Sequence, residues 1–202
     1  GTDARLDQWG VWSGRVLSGA ELDALYNGGA GRSYDSLGGT AEHAVDLREG
    51  WTIISSYVAP QDSSISSVFS SVLDQVVVVK DEIGQIFAPE QDIDQIGVWE
   101  SSEAYMVYAN AAASLSLQGT SLSTSPPAVE LQAGWNLLPY LRASSQPIDE
   151  ALSSILDQLV LVKDRNGAVY FPEYDINDIG MMQAGQGYKV YMSEAATLEY
   201  TP

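Results

Sequence analysis

Short bursts of apolar residues punctuate this chain, and they come in the same order twice. Trp51-Thr-Ile-Ile-Ser-Ser-Tyr57 and Trp135-Asn-Leu-Leu-Pro-Tyr140 each follow a glycine and read as strands. A polar loop leads to a helix expected over roughly 64–73, and again over 147–157. In the second stretch Ile148, Leu152 and Ile155 recur at helical spacing and form a one-sided apolar stripe. Pro147 suits a first helical turn, and Asp149 and Glu150 suit the positive end of the helix. Val76–Val79 and Leu159–Val162 are unbroken apolar runs, the pattern of a strand covered on both faces. Each runs into a turn that uses Gly84 or Gly167, then into a returning strand that Pro89 or Pro172 ends. Strands over 105–108 and 114–117, and again over 187–191 and 197–200, complete a sheet. The expected fold class is α+β: two tandem copies of a small β-sheet module, each with one packed helix, plus an N-terminal strand-helix segment.

Direct matching supports the duplication. Leu73-Asp74-Gln75 recurs as Leu156-Asp157-Gln158, and Val79-Lys80-Asp81 as Val162-Lys163-Asp164, an offset of 83. Upstream, Leu47, Gly50 and Trp51 map onto Leu131, Gly134 and Trp135 with an offset of 84, so one residue is lost between Trp135 and Leu156. The expected modules are 47–119 and 131–202, joined by a Ser/Thr/Pro-rich linker at 120–130. The linker is short, so the copies should touch.

The motifs Gly134-Trp135-Asn136-Leu137, Val162-Lys163-Asp164 with Gly167, and Gly185-Gln-Gly187-Tyr188 resemble a repeat module of large secreted bacterial and archaeal surface proteins. The first copy departs at Thr52 and at Ser102-Glu-Ala104. The resemblance implies an accessory module without chemistry of its own. Residues 1–46 differ in character. Asp7 to Trp12, the capping box Ser18-Gly-Ala-Glu21 and Leu25 to Gly29 resemble the C-terminal tail of a laminin-G-like (concanavalin A-like) domain. That resemblance implies a fragment of a larger protein, with neighbouring domains of the parent as partners.

Charge narrows the partners. The 202-residue chain has 9 Lys+Arg against 27 Asp+Glu, a net charge of −18. The three segments 1–46, 47–119 and 120–202 carry −4, −8 and −6, so the acidity is general. Such a surface repels phosphate backbones and anionic lipid, which argues against nucleic acid and membrane surfaces. No apolar run is long enough to insert in a membrane. Cysteine is absent, which excludes disulfides and thiolate chemistry but not export.

Few residues suggest chemistry. His43, the single histidine, sits in a Gly/Ala/Glu-rich stretch and reads as a surface linker residue. Chance pairs of carboxylates are expected among so many acids, and no pair marks a glycosidase cleft. Asp92 and Asp94, with Asp175, Asn177 and Asp178 in the second copy, are candidate Ca2+ ligands, although solvated acids in turns explain them better. Trp51, Trp99 and Trp135 are candidate sugar-stacking residues. Trp51 and Trp135 recur at strand starts and read first as packing anchors, which leaves Trp99, whose counterpart is Met182, as the better platform. The expectation is a non-enzymatic accessory or structural module, extracellular or on the cell surface, with an adhesion or spacing role. A carbohydrate-binding module and a component of a viral or secreted appendage fibre are the alternatives.

Overall fold

The structure is a computed structural model and describes residues 40–200. The expected N-terminal strand and capped helix lie outside the described residues. In the first copy, β1 (Ala41–Leu47), β2 (Gly50–Ile54) and β3 (Val58–Pro60) precede a one-turn helix α1 (Ile65–Val68). β4 (Val76–Lys80), β5 (Ile86–Ala88), β6 (Ile93–Asp94), β7 (Tyr105–Ala109) and β8 (Ala113–Ser121) follow. The second copy contains β9 (Val129–Leu131), β10 (Gly134–Pro139), β11 (Gln146–Pro147), α2 (Ile148–Ala151), β12 (Leu159–Lys163), β13 (Val169–Phe171), β14 (Ile176–Asn177), β15 (Met181–Met182), β16 (Gly187–Met192) and β17 (Ala196–Leu198).

The two copies have the same plan in their large sheets and differ in their small ones, where β3 joins β8 in the first copy and β11 pairs with β15 in the second. One five-stranded antiparallel sheet runs β2-β7-β4-β5-β6 and the other β10-β16-β12-β13-β14. The registers correspond too: Val79 pairs with Phe87 as Val162 pairs with Tyr170, and β4 and β12 carry the same irregularity after Val76 and Leu159. In each copy the first strand also pairs with the last, β1 with β8 and β9 with β17. This smaller sheet shares one core with the larger, where Val45, Leu47, Leu115 and Leu117 meet Ile54, Val79, Tyr105 and Val107. The equivalent core of the second copy contains Leu131, Leu138, Val162, Tyr188, Val190 and Leu198.

The fold is all-β, which corrects the α+β expectation. Each expected helix shrinks to one α-turn and a 3-10 turn, over Ser70–Val72 or Ser153–Ile155, because the backbone leaves helical geometry at Phe69 and Leu152. Serines crowd the first stretch and bond locally instead: Ser67 donates to Asp62 at 2.7 Å and Ser70 to the Ser67 carbonyl at 2.7 Å. A segment this short cannot offset helix nucleation by propensity alone. The apolar stripe was nevertheless real, since Ile148, Leu152 and Ile155 are all fully buried.

Two further corrections concern strands. The valine run of β4 is central in its sheet, yet Val77 and Val78 are only half-buried, so it is not doubly covered. His43 is no linker residue. It lies on β1, which alternates inward at His43, Val45 and Leu47, and it is 6% exposed. The Ser/Thr/Pro stretch likewise begins as strand, with β8 running to Ser121 and β9 opening at Val129. Gly119 is required there: a Cβ would stand 1.8 Å from the Ala59 carbonyl oxygen.

The copies pack through the outer faces of their large sheets. Ile53, Ala104 and Leu137 form a separate small core, with Met106 against it. Ile53 and Leu137 are equivalent positions. So are Ala104 and Gly187, and a Cβ on Gly187 would come within 3.0 Å of the Ala104 Cβ and 2.6 Å of the Ile53 Cγ2. Counterparts meeting one another is the pattern of an approximate two-fold, as in an isologous dimer. Polar contacts fix the joint. The Ser55 N–H donates to the Gly185 carbonyl at 3.2 Å, its hydroxyl donates to the Gln186 carbonyl at 2.7 Å, and it accepts from the Tyr140 N–H at 3.0 Å.

Candidate functional site: two tryptophan faces and an inter-module cleft

The Gly-Trp motif sets the site. Gly50 and Gly134 hold φ of 88° and 97°, so the chain turns sharply before β2 and β10. The polar residue after each tryptophan points inward and locks that turn. Thr52 Oγ1 accepts the Arg48 N–H at 3.2 Å, and Asn136 Oδ1 accepts the Gln132 N–H at 2.7 Å. Strand alternation then turns the tryptophan outward. Trp51 is 46% exposed and Trp135 53%, whereas Trp99 is 2% exposed.

This ordering reverses the sequence-based one. Trp99 packs in the first core, stacked on Tyr105 at 4.3 Å, and cannot offer a face to a ligand. Its counterpart Met182 is equally buried, so the position is a core site filled by two different side chains. Trp51 and Trp135 are not core anchors. Each stands opposite a half-exposed tyrosine on the neighbouring strand, Tyr108 or Tyr191. The pairs are edge-to-face at 5.3 and 5.2 Å, both at 66°. A lysine completes each group: Lys80 Nζ lies 5.8 Å from the Trp51 ring and Lys163 Nζ 5.7 Å from the Trp135 ring.

Around the second group the joint between the copies leaves a cleft of about 480 Å³. Trp135, Lys163 and Lys189 form one wall, and Asp81, Glu82 and Met106 of the first copy form the other. Glu82 accepts the Leu137 N–H at 3.1 Å. Loss of surrounding water raises its carboxyl above the usual range, the Leu137 N–H pulls it back, and Asp81 pushes it up again. Sequence reasoning passed over Lys189, although the Gly187–Met192 alternation places it on the face that carries Tyr191.

The loop acids have structural duties. Asp92 and Asp175 adopt left-handed backbone, with φ of 54° and 55°, which aspartate tolerates better than most residues. Asp94 Oδ1 accepts the Gly97 N–H at 2.7 Å, and Asn177 Oδ1 accepts the Gly180 N–H at 2.8 Å. Asp178 is exposed, its N–H donating to the Val169 carbonyl at 2.9 Å. Turn geometry thus accounts for the recurrence of Asp92 as Asp175 and of Asp94 as Asn177. Among the described residues no three His, Cys, Asp or Glu side chains come together as a cation site.

His43 sits at the module joint. Its Nδ1 shares a 2.9 Å hydrogen bond with the Ser56 hydroxyl, its ring lies 4.2 Å from that of Tyr57, and Gly185 of the second copy abuts Nε2. Burial lowers its pKa to about 4, so it is neutral at pH 7.

The fold and faces define a class: a tandem all-β protein that presents one aromatic platform per copy. Comparison with known proteins finds no matching family model, no matching curated protein and no matching solved structure.

Proposed function

We propose that the chain is a non-catalytic adhesion module of a secreted or cell-surface protein, which binds glycan through its two tryptophan faces. The observation that supports this reading is the repeated Trp-Tyr-Lys group, exposed at equivalent positions of both sheets. Core packing does not require these tryptophans, and an outward-facing aromatic ring costs solvation unless something covers it. Flat aromatic faces suit the C–H faces of sugar rings, and two faces on one chain give avidity for a polymer. A pure spacer would gain nothing from keeping both rings exposed.

The test is affinity electrophoresis on a panel of soluble polysaccharides. The wild type should be retarded by at least one, each of Trp51→Ala and Trp135→Ala should weaken that retardation, and the double variant should abolish it. Trp99→Phe should leave it unchanged. Absence of retardation on every polysaccharide, or a double variant that behaves as wild type, contradicts the proposal.

A further inference from the structure

We propose that the cleft beside Trp135 takes a carboxylated sugar, a uronic-acid unit of an acidic polysaccharide. The inference rests on the glycan reading above and specifies the ligand of its second face. Cations are scarce in this chain, and only three are lysines: Lys80, Lys163 and Lys189. All three stand on the outer faces of the large sheets, and two of them converge on one cleft.

Their placement works against stability. Lys163 and Lys189 are directly opposite on β12 and β16, where like charges repel. In the first copy the equivalent pair is Lys80 opposite Met106, which has no such cost. The facing acids do not use the lysines up. Asp81 is buried and its Oδ1 accepts the Gln85 N–H at 2.7 Å, while Glu82 accepts the Leu137 N–H at 3.1 Å. A rule of sheet design broken in one copy and kept in the other marks a functional position.

A bound carboxylate would relieve the repulsion and lie between two ammonium groups. The sugar ring would stack on Trp135, and Glu82 would accept hydrogen bonds from its hydroxyls. The acidic second wall and the net charge of −18 limit the charge a ligand can bring, so the carboxylate must seat between the two lysines. A densely sulfated chain would collide with that wall.

Calorimetric titration of the whole chain tests this with three probes: oligogalacturonate, its methyl ester, and dextran sulfate. Oligogalacturonate should bind, more weakly as salt rises. The uncharged ester should bind about tenfold more weakly, the effect of losing one charge-assisted contact. Lys189→Met, which installs the first copy's residue, should lose about tenfold for the acid and nothing for the ester. Lys163→Met should likewise weaken binding of the acid. Urea unfolding verifies that each variant is folded. Equal affinity for acid and ester, an unaffected Lys189→Met, or preference for dextran sulfate overturns the inference. If uronate fails but a neutral polysaccharide binds through Trp51 and Trp135, this inference falls and the glycan reading stands. If no saccharide binds, both fall.

Discussion

The two copies share a frame and differ on one face. The strand order and register of the large sheet, its irregularity, the tyrosine hydroxyls that accept the Glu100 and Gln183 N–H groups, and the Trp-Tyr pairing all recur. What changes is a side chain outside the main core of either copy: Met106 in the first, against the small core at the joint, and Lys189 in the second. The difference teaches which positions serve folding and which are free to serve a ligand. At one matching core position Trp99 and Met182 differ in shape but stay apolar, while at the outward position Met106 and Lys189 differ in charge.

The equivalence of the cores is the strongest statement to attack. Ile54→Ala and Leu138→Ala remove fully buried side chains from matching strand positions. Each should cost about 2–5 kcal/mol in urea unfolding. A large cost in one copy and none in the other would break the comparison.

The joint gives the next largest effect. His43, 6% exposed, has its pKa lowered from 6.5 to about 4. As pH falls through 6.5 the unfolded chain takes up a proton that the folded chain refuses, so stability drops between pH 6.5 and about 4 and then levels off. The loss from this residue is roughly 3 kcal/mol. Glu82 and Glu103, whose carboxyls are raised chiefly by burial, act in the opposite sense and gain stability as pH falls. The informative quantity is therefore the wild type minus His43→Gln difference, which should shrink as pH falls across that window.

Gly187→Ala gives the counterpart position the first copy's residue and drives a Cβ to 2.6 Å from the Ile53 Cγ2. It should destabilise by about 1–3 kcal/mol, and Ile53→Ala should recover part of the loss. The smallest effect is Lys189→Met, which removes a like-charge pair from β12 and β16 and should raise stability by about 0.2–1 kcal/mol. A loss instead would mean that Lys189 serves the joint with Asp81 and Glu82.

Much of the strand layout was legible because its signals are local. Apolar runs, the Asp81 and Asp164 turns with Gly84 and Gly167, and the proline stops all fall where the pattern puts them. The helices were misjudged because Ile148, Leu152 and Ile155 fit one helical face and equally fit two tight turns that aim the same residues inward. β1 was missed because its pairing with β8 spans the whole module, which no local pattern reveals. The tryptophans were inverted for a related reason. Recurrence shows that a residue matters to both copies, but only register decides whether it faces the core, and the register depends on the turns at Gly50 and Gly134.

The central claim is that the outward tryptophans, and not the buried one, meet the ligand. Nuclear magnetic resonance can follow the indole N–H signals, assigned by single substitutions, while a bound polysaccharide fragment is titrated in. The account predicts that the Trp51 and Trp135 signals shift with saturation and that the Trp99 signal stays still. Movement of the Trp99 signal alone, or no movement at Trp51 and Trp135, would contradict it.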